Sequence, residues 1–218
     1  MNIVSLFSEN WVLLFQAMGS TLELTLLSLI FATVIGLIFG LFNVSKNKVL
    51  HVIANVYITV IRGVPLIVLG FFIYFGVPMA MGITLSPLVA GVITLSLNAG
   101  AYMAEIVRGG VQSVDRGQME AARSLGLSYG TAMRKVVLPQ AIRTMIPSII
   151  NQYIITLKDT SILSAIGFPE LVKRGQIIIA RTFDPFSTWA IVGIMYLIVI
   201  TILSIIAKRV ERRISYAK

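Results

Sequence analysis

The feature that most constrains this chain is where its charges are absent. Residues 24–45, 63–104 and 185–207 contain no Lys, Arg, Asp or Glu. A helix crossing the hydrocarbon core of a bilayer needs about 20 predominantly apolar residues, and the middle stretch is long enough for two crossings, with Pro78 and the Ser86-Pro87 pair marking the turn between them. Only 12% of the 218 residues are charged and 57% are apolar, against about 25% charged in ordinary soluble domains. A single soluble core of this size could not hide that much apolar surface, which excludes disorder and a soluble α/β enzyme. The expected fold is all-α, a polytopic membrane protein forming one transmembrane domain over residues 1–218.

Five spans are expected, at about 14–43, 52–77, 85–107, 140–165 and 186–208, the fourth being the least apolar because Lys158-Asp159 interrupts it. Thirteen of the eighteen Lys and Arg residues then fall on one side: Lys46 and Lys48; Arg108, Arg116, Arg123, Arg134, Lys135 and Arg143; and Lys208, Arg209, Arg212, Arg213 and Lys218. Positive residues gather in cytoplasmic loops, so the amino terminus is expected outside and the carboxyl terminus in the cytoplasm. Trp11 and Trp189 fall at the outer ends of spans one and five, where an aromatic belt belongs. The net charge of +9 is thus a topology signal, and no nucleic acid is expected as a partner. Lys46 is the first basic residue, so a cleaved signal peptide is not expected. Gly36 and Gly40 form a small-residue pair in span one that suits close helix packing, either within the chain or at a dimer seam.

The chain has no cysteine and one histidine, His51, so neither a disulfide framework nor a metal site is expected, and no Ser/His/Asp set suggests covalent catalysis. The most patterned segment is polar and lies between spans three and four. Asp115 followed by Gln118 reads as a capping box, Met119–Leu125 favours helix, and Gly126 supplies the stop. Ser128 is expected to begin a second short helix that ends before Pro139. Met119, Ala122, Arg123 and Leu125 give a small-residue face flanked by charge. Such a face can seat in a groove on a partner or lie on the lipid surface, and spacing alone leaves both open.

Glu120-Ala121-Ala122, Gly126 after three more residues, and Val136-x-Leu138-Pro139 after nine more resemble the "EAA" signature of permease subunits of type I ABC importers, with Val136 where Ile is usual. Arg62-Gly63-Val64-Pro65-Leu66, the Asn98 to Gly109 segment and Leu157-Lys158-Asp159-Thr160-Ser161 are similar to the polar amino-acid permeases of bacterial inner membranes. The resemblance covers nearly the whole chain. It implies that residues 115–139 form coupling helices, with Glu120, Ala121, Ala122, Gly126, Leu138 and Pro139 docking onto a cytoplasmic ABC ATPase dimer. It also implies a second permease subunit, identical or homologous, an extracytoplasmic solute-binding protein and a polar amino acid as solute. The chain has no G-x-x-x-x-G-K-[ST] phosphate loop, so no cofactor is expected in it. ATP and Mg are expected in the partner, and the chain is not expected to be an enzyme. An ion-coupled secondary transporter or channel subunit is the alternative, working without an ATPase.

A charge near the bilayer centre costs about 2.5–3.5 kcal/mol on insertion scales, so each needs a reason. Glu105 lies seven residues after Asn98, two helical turns on, with Tyr102 between them. That stripe could face a cavity and hold an amino acid, or Glu105 could pair with Arg108 at i+3. Lys158 and Asp159 are adjacent and do not face each other on a helix, so they require partners elsewhere or an interrupted helix along a water-filled path. Arg62 with Gly63 and Pro65 marks a kink in span two, with its side chain either snorkelling or touching solute. The expected solute ligands are Asn98, Glu105, Asp159 and Ser161.

Overall fold

The computed structural model describes residues 2–215, with side chains described as far as Arg209; the described residues are helical and carry no strand. Arg212, Arg213 and Lys218, counted above for topology, have side chains outside that range. Helix α1 (Ile3–Asn43) is 41 residues long, about 60 Å at 1.5 Å per residue. It therefore begins well before residue 14. Its first half packs Leu6, Leu14, Ala17 and Met18 against the two last helices, α9 (Leu171–Thr182) and α10 (Pro185–Ser215). Its second half packs on α5 (Pro87–Gln112), the most enclosed of the long apolar helices.

The α1–α5 crossing explains the glycine pair. A Cβ on Gly36 would run into Met103, and one on Gly40 would sit 2.5 Å from the Val107 Cβ. On α5, Gly100 likewise admits Ile35, and Gly110 admits Met145 of α8 (Leu138–Asp159). Small residues let helix backbones approach where lipid supplies no hydrophobic drive between helices. The Gly36–Gly40 face is therefore packed inside the chain, against α5.

The second span departs from expectation. α2 (Lys48–Gly63) stops at Val64-Pro65, and the chain turns by 102° into a second helical arm, Leu66–Met81. That arm comprises α3 (Leu66–Phe71), a π turn (Phe72–Gly76) and α4 (Val77–Met81). Pro65 cannot continue the α2 hydrogen-bond ladder and pushes Val64 into an extended conformation, ψ 131°. The bent arm packs Leu69 and Ile73 against Leu24, Leu95 and Leu163.

The segment after α5 forms α6 (Arg116–Ser124) and α7 (Tyr129–Ala132). The second helix does not end before Pro139. A π turn (Met133–Val137) carries it into α8, with Pro139 in the first turn. Both π turns precede a proline, Pro78 or Pro139. A proline ring collides with the carbonyl four residues back, and the wider i→i+5 turn accommodates it without a break. At the far end α8 stops at Asp159 and tightens into a 3-10 segment, Thr160–Ile166. The stretch from 167 to 187, expected as a loop, contains α9.

Among the described residues three helices, α1, α5 and α10, are long and apolar enough to cross a membrane, and the bent pair can make a fourth crossing. α8 has the length at 22 residues but falls short in apolarity because Gln140, Arg143, Asn151, Gln152, Lys158 and Asp159 lie along it.

Candidate functional site

The α2–α3 break, α5, α8 and the 3-10 segment converge on a cavity of about 560 Å³. Its wall carries Arg62 and Pro65 from the break, Asn98 and Tyr102 from α5, Gln152 and Asp159 from α8, and Ile162 beyond. Irregular backbone at membrane depth is tolerated where it lines a polar cavity rather than lipid, and here the α2–α3 break does so. Asn98 is 7% and Gln152 5% exposed, so these amides are buried in protein where they line the cavity, and Gln152 Nε2 also donates to Thr156 Oγ1 at 3.5 Å. Arg62 lies over the Tyr102 ring, 5.0 Å from its centroid, a cation–π contact that fixes the guanidinium at the cavity edge. One wall thus carries a cation and another, at Asp159, a carboxylate.

Asn98 and Asp159, two of the four expected ligands, meet in this cavity. Glu105 does not line it. It lies one turn further along α5 in a second polar cavity of about 520 Å³, with His51, Asn55 and Thr59. Arg108 holds Glu105 through two bonds, Nε to Oε1 at 3.0 Å and Nη2 to Oε2 at 2.8 Å. Arg62 Nη1 approaches the same Oε2 at 3.4 Å, and Asn43 Nδ2 donates to Oε1 at 3.5 Å. Ser161 is outside both linings, and its hydroxyl donates back to the Lys158 carbonyl at 2.7 Å. Arg62, expected either to snorkel or to touch solute, lines this cavity and also meets an acidic partner, Glu105, that the sequence did not announce. Gln152 was not among the expected ligands; it precedes Asp159 by seven residues, two turns on one helix face, and that spacing was the available signal.

The polar segment after α5 is built by caps. Asp115 Oδ1 accepts from Gly117 N at 2.7 Å to start α6. Gln118 does not close the capping box; its side-chain oxygen accepts from Gln140 Nε2 of α8 at 3.3 Å. At the other end Gly126 has φ +83°, Gly126 N donates to Arg123 O, and Leu127 N to Ala122 O. That pairing is a Schellman motif, which needs a left-handed residue where Gly126 stands. Ala122 is buried, while Glu120 and Ala121 are exposed and Leu125 is 84% exposed. Leu138 is half-buried and Pro139 exposed. Among the described residues no group of three His, Asp or Glu could hold a metal ion.

Outside these cavities, Glu170 is fully buried and caps α9, accepting from Val172 N at 2.8 Å and Lys173 N at 2.6 Å. Tyr196 of α10 donates to the same carboxylate at 3.1 Å. Burial pushes the Glu170 carboxyl above its ordinary range, against the lowering effect of these hydrogen bonds.

Residues 32–216 match the family described as binding-protein-dependent transport system inner membrane component. The chain is 43% identical over 202 residues to the glutamine transport system permease protein GlnP of Escherichia coli (strain K12), covering 92% of each chain. It is 36% identical over 193 residues to a putative glutamine transport system permease protein of Rickettsia felis, covering 88% of each. Among solved structures, the crystal structure of an amino acid ABC transporter with histidines superposes with a TM-score of 0.91 at 38% identity, covering 98% of this chain and 99% of that one. The inward-facing MetNI methionine ABC transporter shares the fold, with a TM-score of 0.79 at 22% identity over 94% of this chain and 97% of that one. With residues 32–216 matched by the family and a relative 43% identical over 92% of each chain, this chain belongs to the binding-protein-dependent transport system inner membrane components.

Proposed function

We propose that the chain is the permease subunit of an ATP-driven ABC importer for a polar amino acid, and that the Asn98–Asp159 cavity receives the solute. The observation carrying this reading is one cavity at a helix break that combines a guanidinium, a carboxylate and two buried amides. A zwitterion needs both signs of charge, and a polar side chain needs amide partners. Asn98 and Asp159 are the ligands, with Arg62, Tyr102 and Gln152 completing the set. Glu105 and Ser161, held by other partners, act outside the cavity. Glutamine is the first solute to test, because the GlnP relatives are glutamine permeases by name.

Residues 115–139 dock on a cytoplasmic ABC ATPase dimer, which supplies ATP hydrolysis, with Leu125 exposed as the apolar contact. A second permease subunit and an extracytoplasmic solute-binding protein complete the importer, and the chain itself does no covalent chemistry. α8 serves as a fifth crossing beside α1, the bent pair, α5 and α10, with the amino terminus outside the bacterial inner membrane and the carboxyl terminus in the cytoplasm. The test is uptake in reconstituted importer carrying Asp159→Asn or Asn98→Ala, with assembly measured separately. Each variant should lose about tenfold or more of uptake, because a buried partner left unpaired costs about 1–3 kcal/mol. Full uptake in both would remove the solute from this cavity.

A further inference from the structure

The polar cavities of this chain are contiguous. The Asn98–Asp159 cavity and the Glu105 cavity share Arg62 and Gly63. The Glu105 cavity in turn shares Asn43, His51 and Gln112 with a third, of about 830 Å³, beneath α6. On α2 the lining residues His51, Asn55, Thr59 and Arg62 recur every three or four positions, one face of the helix. Val52, Val56 and Val60 on its other faces are 57%, 57% and 55% exposed, as lipid contact requires. The facing stripe on α5 runs from Asn98 through Glu105 to Gln112.

We propose that this face between α2 and α5 is the lane by which the amino acid leaves the Asn98–Asp159 cavity toward the α6 end, with the Arg62–Glu105 pair as its constriction. The proposal rests on the permease reading. The pair is built asymmetrically. Arg108 grips Glu105 through two hydrogen bonds from the same helix, so the two move together. Arg62 reaches Glu105 across helices at 3.4 Å through a single contact and comes from the end of α2, next to the 102° break. A relative shift of α2 and α5 therefore loosens the contacts of Arg62 with Glu105 and Tyr102, both on α5, and leaves Glu105 paired with Arg108 of its own helix.

The chain contains no cysteine, so it adds no background label of its own, and the importer without an introduced cysteine serves as the control for its partners. In the assembled importer, Thr59→Cys in the lane and Val60→Cys on the lipid-facing side would each be labelled to completion with a bulky charged methanethiosulfonate. Labelled Thr59→Cys should lose about tenfold or more of its uptake while labelled Val60→Cys keeps its uptake within about twofold, since a pore is closed by loss of diameter at its lining. Equal uptake in the two labelled variants would overturn the lane. For the constriction, Ile155→Cys, at a residue lining the Asn98–Asp159 cavity, would be labelled from the α6 side with and without Glu105→Gln. Labelling should quicken severalfold when the pair is lost, and an unchanged rate would reject the pair as the constriction. The unmodified importer separates the two ideas: if it moves no polar amino acid, the permease reading fails, while a failure confined to the Thr59→Cys and Val60→Cys comparison rejects only the lane.

Discussion

Gly126 stands in open space, with no atom within 4 Å of where a Cβ would be, yet its φ of +83° excludes most side chains. A non-glycine residue there costs about 1–2 kcal/mol of backbone strain, and the Schellman pairing of Leu127 N with Ala122 O depends on that conformation. Gly126→Asp should therefore distort the end of α6, where Leu125 projects, and block uptake while the subunit still reaches the membrane. Gly126→Asn, which like Asp tolerates left-handed φ but carries no charge, should keep more uptake. ATPase pull-down and uptake measured together check this, and normal values for Gly126→Asp would sink the coupling role. This glycine was readable from its place after a helix-favouring run. The role of Arg62 was not, because sequence gave its kink but not the Glu105 carboxylate 43 positions away that meets it at 3.4 Å.

Among the elements, α9 is the one local pattern did not announce, and it is held by a tertiary device. Glu170 caps it, Arg181 Nη2 donates to Asn10 of α1 at 2.7 Å, and Leu171 N donates to Thr21 of α1 at 3.3 Å. The buried Glu170 carboxyl lies above its ordinary value of 4.5, so the folded state favours the protonated form relative to the unfolded chain. Its contribution is then greatest below the ordinary glutamate range and is lost as pH rises through the folded value. The importer should melt at a higher temperature near about pH 5 than near about pH 8 on this account, and Glu170→Gln should shrink that difference. An identical pH dependence in the variant would show that Glu170 is not its source. The two π turns teach a related point. Pro78 was expected to mark a turn and Pro139 the end of a helix, yet the helix runs on through both; whether a proline breaks a helix, as at Pro65, or widens it, as before Pro139, depends on what the neighbouring helices allow.

At the scale of the whole molecule, the proposed orientation rests on the distribution of the basic residues around the charge-free runs, and it has a direct topology test. Single cysteines at Met79 and Phe183, 89% and 86% exposed, should react with an impermeant thiol reagent from outside intact cells, and one at Leu125 only after permeabilisation. The reverse pattern would invert the orientation. Sequence alone determined that the chain is helical and built for lipid, because apolar run length and charge scarcity are summed along the chain and need no partner to be read. It also determined where α6 starts and stops, at Asp115 and Gly126, and the Gly36–Gly40 approach face, which are set within a few residues, whereas Gln118 turned out to pair with Gln140 of α8. Only the tertiary structure decided that α5 is what those glycines pack against, that the second span folds back through 102°, and that Asn98 and Asp159 share a cavity while Glu105 is drawn into an ion pair. The reason is physical: a buried charge or amide finds its partner by distance in space, and residues on separate helices leave no period in the sequence to announce that they will meet.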